Sequence, residues 1–449
     1  MKAIQARYDQ MRPHEVAPFV MGAGLIIFIL ILLAPAAGRT GDYDIDLSEI
    51  EKKPYSLGGY AEFAPLWGWM DKEASLYRLN FYNSPQADVA QEYNSRLQLE
   101  GSLEKGAAML FVRTNSLLAH TYRGWSGATK IYDGYLSLKP SPLLAVTLGK
   151  KAPKWGKGYA WNPVAFLDKP KNPDDPELSL EGLIFASADF TRSFDGPLKT
   201  VSLTPVLVPV YSDINDSFGT LNRLNFAAKL YLLLYDTDLD FIALSGGSKS
   251  ARYGMDFSRN LTTNFEVHGE FAYLSSAQRK VLSGGESSQI QPGKGTSWLL
   301  GIRYLSGLNT TYILEYYHNE DGFTPNEMNL YFNLVDQAYS SFISTGSDSL
   351  MTEALGVSGN YGRINPMMDY LYLRISQSEP FNILYFTPAI TAIFNADDNS
   401  FNLTPELLYT GITNLELRLK TSLISGVDNS EFGEKMYNLR LEFRARYYF

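Results

Sequence analysis

From about residue 55 to the last residue, apolar and polar side chains alternate with period two in one segment after another. The C-terminus shows this most cleanly. Leu439, Leu441, Phe443, Ala445, Tyr447 and Phe449 fall on one face of an extended chain, and Arg440, Glu442, Arg444 and Arg446 on the other. Residues 415–423 repeat the pattern, with Leu415, Leu417, Leu419 and Leu423 against Glu416, Arg418, Lys420 and Ser422. Strands are predicted at 56–67, 91–104, 107–119, 128–139, 142–150, 180–192, 198–211, 221–235 and 237–247, then at 251–260, 262–275, 295–305, 309–318, 368–379, 381–394, 399–410, 413–425 and 435–449.

The connections sort by parity. Even strands are followed by tight links, around Glu104-Lys105, Pro140-Ser141, Asp195-Gly196, Asp236, Leu261, Gly307-Leu308, Pro380 and Gly411-Ile412. Most odd strands lead into longer ones: 68–90, 120–127, 151–179, 211–220, 276–294, 319–367 and 426–434. Short turns on one side and long loops on the other are the plan of a barrel crossing a membrane. The reading is therefore an all-β, transmembrane, antiparallel up-and-down β-barrel of about 18 strands, 16 being the next even count below.

An export signal precedes it. Lys2, Arg7 and Arg12 lead into the apolar run Val16 to Leu33, and Ala34, Pro35, Ala36, Ala37 and Gly38 follow. That order predicts a cleaved signal peptide over 1–38, with an uncleaved anchor as the alternative. A short periplasmic leader over 39–54 and a single barrel over 55–449 complete the organisation. Export plus such a barrel predicts the outer membrane of a Gram-negative bacterium, with its lipid and lipopolysaccharide as surroundings.

Composition narrows the chemistry. With no cysteine, the chain has no disulfide framework and no Cys-ligated metal centre. Aromatics make up 14% and charged residues 19%, and the net charge of −9 argues against nucleic acid as a partner. No cofactor is expected.

Placing each apolar face towards lipid leaves the polar face for the lumen, since a charge facing mid-bilayer costs about 2–4 kcal/mol. The candidate pore-lining set is Arg96, Glu100, Arg113, Lys229, Glu266, His268, Glu270, Arg303, Arg374, Glu416, Arg418, Lys420, Arg440, Glu442, Arg444 and Arg446, joined by Asp133, Asp256 and Glu315. These charges can pair into ladders that shape a hydrated interior, or their basic arc can attract anionic solutes. The third outer loop, 151–179, is rich in lysine and proline. Folded inward it would put Lys151, Lys154, Trp155, Lys157 and Trp161 at a constriction; lying on the rim it would form a lid. In the seventh outer loop, Thr324, Pro325 and Glu327 spell a helix start, and Met328, Tyr331, Phe332, Val335, Ala338, Tyr339 and Phe342 follow at helical spacing.

The strand exit Gly149-Lys150-Lys151, then Trp155-Gly156, Asn162-Pro163 and Glu181-Gly182, looks like the Gly-Arg/Lys…Trp-Gly…Asn-Pro pattern of alginate-export-type and related porin-like barrels. Asp256-Phe257-Ser258 with Asn264-Phe265-Glu266-Val267-His268-Gly269-Glu270 is similar to the mid-barrel hairpin of the same group. The terminal aromatic strand resembles the closing strand that the outer-membrane assembly machinery recognises, which makes Phe449 its expected contact. The resemblance implies an outer-membrane channel, porin or exporter, for passive passage of small polar or anionic solutes or an acidic polysaccharide. For an exporter it implies periplasmic export partners.

Other functions compete. A capsule-associated surface scaffold with a plugged pore would bind polysaccharide through the aromatic third and seventh loops. An enzyme or metal site could use Glu266, His268 and Glu270, which alternation places in a row, though a polar strand face produces the same row unaided. A carrier of hydrophobic molecules would need an N-terminal hatch longer than residues 39–54.

Overall fold

A computed structural model describes residues 53–449 apart from Gly284; the segment 1–38 and most of the leader 39–54 lie outside the described residues. Eighteen strands form one sheet. They are β1 (Tyr55–Met70), β2 (Val89–Lys105), β3 (Ala108–Thr121), β4 (Gly124–Ser141), β5 (Leu144–Lys151), β6 (Leu183–Ser193), β7 (Leu198–Val210), β8 (Arg223–Leu234) and β9 (Thr237–Leu244). The second half comprises β10 (Arg252–Thr262), β11 (Phe265–Ser283), β12 (Gly285–Leu305), β13 (Thr310–Asn319), β14 (Asp369–Gln377), β15 (Phe386–Asn395), β16 (Phe401–Ile412), β17 (Leu415–Ser425) and β18 (Tyr437–Tyr448).

Each strand pairs antiparallel with the next, and β1 pairs with both β2 and β18, so the sheet closes on itself. The seam runs in register from Tyr60 opposite Tyr448 to Trp69 opposite Leu439, then shifts by one residue so that Met70 lies opposite Tyr437. Phe449 extends it, exchanging two 3.1 Å backbone hydrogen bonds with Gly59. Outward positions carry exposed apolar side chains such as Leu97, Leu99, Val112, Phe241, Phe271, Leu300, Leu407 and Phe443. Their partners one residue away point inward and are mostly polar, which is the inverse of a soluble fold and requires lipid outside.

The parity of the connections holds in outline, with three local differences. The expected loop 276–294 is mostly strand, because β11 and β12 continue pairing out to Ser283 opposite Gly285. Its run of glycine, serine and glutamine reads as loop, but backbone pairing needs no apolar face. Likewise β3 and β4 turn at residues 122–123 instead of over 120–127. On the opposite rim, β14 and β15 are joined by residues 378–385 with a 3-10 turn at Pro380–Asn382, rather than by a tight link at Pro380.

Helices α1 (Ser75–Phe81), α2 (Pro325–Thr345) and α3 (Ser349–Tyr361) sit in the first and seventh outer connections. Thr324 and Glu327 make the predicted capping box, and Gly346 ends α2 at φ 73°. Most of the predicted apolar stripe of α2 is buried: Met328, Tyr331, Phe332, Val335 and Ala338 join Tyr361 of α3, Phe323, Tyr370, Tyr372 and Trp161 in one core, and Tyr339 and Phe342 pack half-buried against it. Arg78 of α1 reaches Asp336 of α2 at 2.9 Å, and Tyr82 packs edge-on against Phe342, so the three helices form one cap.

Candidate functional site

The connection between β5 and β6, residues 152–182, lies inside the barrel. Its first stretch packs Trp155, Val164, Phe166 and Leu167 against Val206, Val208, Ile242, Leu244 and Ala272 of the inner wall. Wall carboxylates then fasten it. Glu270 on β11 accepts backbone N–H bonds from Lys157 (2.6 Å), Gly158 (2.7 Å) and Val164 (3.2 Å), and a side-chain bond from Asn162 (2.9 Å). Glu315 on β13 accepts from the N–H groups of Ala160 (2.8 Å) and Tyr159. Trp161 stacks on Tyr317 at 5.2 Å and lies within 6.0 Å of the Tyr370 and Tyr372 rings. Lys171 donates to the carbonyls of Gly158 and Tyr159, and burial lowers its pKa.

The far end of the loop reaches the wall of β16–β18. Asp175 receives Arg444 at 2.8 Å and Arg418 at 3.7 Å. Lys420 donates to the Asp174 carbonyl and Asn402 to its carboxylate, both at 2.7 Å. Burial opposes ionisation of Asp175, but Arg444, Lys420 and Arg418 outweigh it and hold its pKa below the usual carboxylate range. The loop returns through Glu181, which takes Lys150 and Lys169 at 2.6 Å each; against burial, these lysines bring its pKa down to about 2. The segment is thus a strap across the interior, tied at both walls.

The sequence-derived residues fall as follows. Arg418, Lys420, Arg440, Arg444 and Arg446 share the inward face of β17 and β18, joined by Arg96 and Arg374. Their field is answered by Glu416 and Glu442, and by carboxylates that sequence reasoning missed. Glu62 on β1 takes Arg446 at 2.6 Å, Arg96 at 3.7 Å and Arg444 at 4.0 Å. Glu406 on β16 takes Arg374 at 3.1 Å and Arg418 at 3.8 Å. With Asp174 and Asp175, seven cations meet six carboxylates on this arc.

The opposite arc leans acidic. Lys229 lies 3.6 Å from Asp240, and Lys157 of the strap lies 3.1 Å from Asp240 and 3.9 Å from Asp256. His268 approaches Glu315 at 2.9 Å and Glu266 at 3.5 Å, while Arg303 pairs in register with Glu266. The row Glu266, His268, Glu270 is split between jobs, since Glu270 holds the strap and His268 faces Glu315. Gly301 makes room for that histidine: a Cβ there would lie 2.1 Å from its Nε2. Glu100, Arg113 and Asp133 form a ladder on β2–β4 with contacts of 3.0 and 2.9 Å.

Of the proposed constriction residues, Trp155 and Trp161 are buried anchors, and Lys157 is paired. Lys151 covers the Tyr135 ring at 4.7 Å, and Lys154 is exposed. Little in the sequence marked the missed carboxylates. Glu62 sits among Tyr60, Ala64 and Leu66, so its inward face looks apolar; two positions beyond Glu406 the inward place is taken by Leu408, which breaks the alternation.

No protein-family model and no curated protein matches the chain. Among solved structures, Pseudomonas aeruginosa OccK11 (OpdR) superposes with a TM-score of 0.50 at 12% identity, over 87% of this chain and 95% of that one. Pseudomonas aeruginosa OccK9 (OpdG) gives 0.50 at 9% identity, over 88% and 98%. The likeness runs the length of a closed 18-stranded barrel with an apolar exterior. The fold is that of an outer-membrane porin. In this barrel the alginate-export-like residues have local duties: Trp155 anchors the strap, Asn162 binds Glu270, and Glu181 gathers lysines. The Occ structures are similar in fold, at identities that carry no residue roles across.

Proposed function

We propose that the barrel is a channel for passive passage of small polar solutes, anions preferred, past the tied strap. The observation that carries this reading is the facing of two unlike arcs: basic-leaning on β14–β18 and β2, acidic-leaning on β8–β13. A polar solute between them loses water but meets fixed charges of both signs, which lowers the cost of entry. The strap narrows the interior, which favours small solutes over an acidic polysaccharide. The seventh cation of the seam-side arc, against six carboxylates, supplies the positive bias.

Liposome swelling tests the reading. Vesicles carrying the mature barrel should swell in small monocarboxylates faster than in size-matched amines, and not in oligosaccharides. Equal rates for both charge classes would remove the anion preference.

The runner-up is a plugged surface scaffold, favoured by the apolar cap of α2 and α3 that buries Tyr370 and Tyr372 on the β14 side. It predicts no swelling with any solute.

A further inference from the structure

Strand register sets inward side chains side by side in rows across the wall, so the wall can be surveyed row by row. Across β9–β12, Asp240, Asp256, Glu270 and Leu299 form one such row, and all four are buried. Thr391, Thr404 and Ser422 form another across β15–β17, again buried. On β1 the inward residues Tyr60, Glu62, Ala64 and Leu66 are buried as well. On β6–β8 the strap covers Phe185, Val206, Val208 and Ala227. Strap and cap thus fill the barrel against most of its circumference.

The wall of β2–β4 differs. Leu117 pairs with Arg96 on one side and Ala128 on the other, so it faces inward, yet it is 37% exposed and Ala128 is exposed too. In the next row towards the periplasm, Gln98 and Asn115 fall to 6% and 5%, but the Lys130 side chain keeps 56%. One row further, Glu100 opposite Arg113 opens again, with 39% of its side chain exposed. Solvent therefore reaches the inner wall in three successive rows here, and the passage is narrowest at the middle one. This strip occupies the gap between the basic arc, which ends at β2, and the acidic arc, which begins at β8.

The narrow row carries one charge. Lys130 lies 3.5 Å from Glu181, but Lys150 and Lys169 already hold that carboxylate at 2.6 Å each. One cation neutralises one carboxylate, so Lys130 is in excess, and its flexible four-carbon stem lets the ammonium turn to a passing anion. We propose that solutes follow a single lane down the inner face of β2–β4, and that Lys130 is the charge a permeating anion touches at its narrowest row. This rests on the channel reading above and gives that channel its route and its contact residue.

The chain has no cysteine, so single cysteines can be placed on a clean background. S126C and A128C lie in the lane, A227C lies under the strap, and A389C lies on β15. An anionic thiosulfonate reagent added to the whole mature barrel should modify the first two and spare the other two, read by intact mass. Modification should also cut the conductance of S126C and A128C in planar bilayers. K130Q should lower anion conductance at low salt about threefold, the effect of removing one unit charge about 6 Å from the solute in water, and K130R should keep it. Equal modification at all four positions, or modification at 227 and 389 alone, overturns the lane while the channel stands. Unchanged anion conductance in K130Q overturns the contact residue. That comparison uses substitutions at an exposed side chain and stands even where a buried cysteine fails to fold. A barrel modified at 126 and 128 that conducts nothing overturns the channel reading, and the lane with it.

Discussion

Asp175→Asn separates the strap from the basic arc with one atom changed. The carboxylate has a 2.8 Å contact with Arg444 and a 3.7 Å contact with Arg418, and all three side chains are 9% exposed. A hydrogen bond to a charged group contributes about 1.5–3 kcal/mol, and each 1.4 kcal/mol is a factor of ten. The equilibrium holding this end of the strap against β17 and β18 should fall by about ten- to a hundredfold. The Asp174 contacts with Lys420 and Asn402 remain, as do Glu270 and Glu315 at the other end, so the barrel stays folded and the strap is loosened at one tie. The substitution also removes one of six carboxylates facing seven cations, within a Debye length of about 8–10 Å. In planar bilayers under a salt gradient, the variant should show flicker to a higher conductance and a reversal potential moved towards the anion. Traces identical to wild type in both respects would refute the strap as a constriction and the arc as a selectivity element.

Further expectations follow from the same ties. Glu270→Ala with Glu315→Ala removes the acceptors for five strap N–H groups, so trypsin should cut after Lys154 or Lys157 in the folded variant and not in wild type; unchanged protection would count against the anchoring role. Because the Glu181 pKa is depressed, to about 2, its tie to Lys150 and Lys169 is fully present above the ordinary carboxylate pKa and is lost only as pH falls through about 2. A spin label at exposed position 177 should therefore keep constant mobility from pH 7 to pH 4, and loosening by pH 5 would contradict this. Tags at 84–86 or 346–348 should be labelled on intact cells, while tags at 307 or 411 should stay protected; the reverse pattern would invert the topology.

Most strands were legible because lipid outside and water inside favour period two, and Arg440 to Arg446 display it without interruption. The capping box at Thr324 was equally plain. What the pattern could not reveal was long-range pairing. Glu62 meets Arg446 across 384 residues, and Asp174 meets Lys420 across 246. Nothing local to Glu62 or Asp174 encodes that meeting; barrel closure and the strap's path create it. The short helix α1 lacks a side-chain cap, and α3 carries two glycines and no acidic first turn, so neither announced itself. Lysine-rich composition suggested a basic constriction, whereas folding spends Lys157 on Asp240 and Lys150 and Lys169 on Glu181.

Single-channel recording of the purified mature barrel in planar bilayers tests the central claim most directly. The account predicts discrete conductance steps with a reversal potential on the anion side in a salt gradient. A silent barrel would contradict the channel and favour the plugged scaffold, and an open pore that prefers cations would contradict the anion preference.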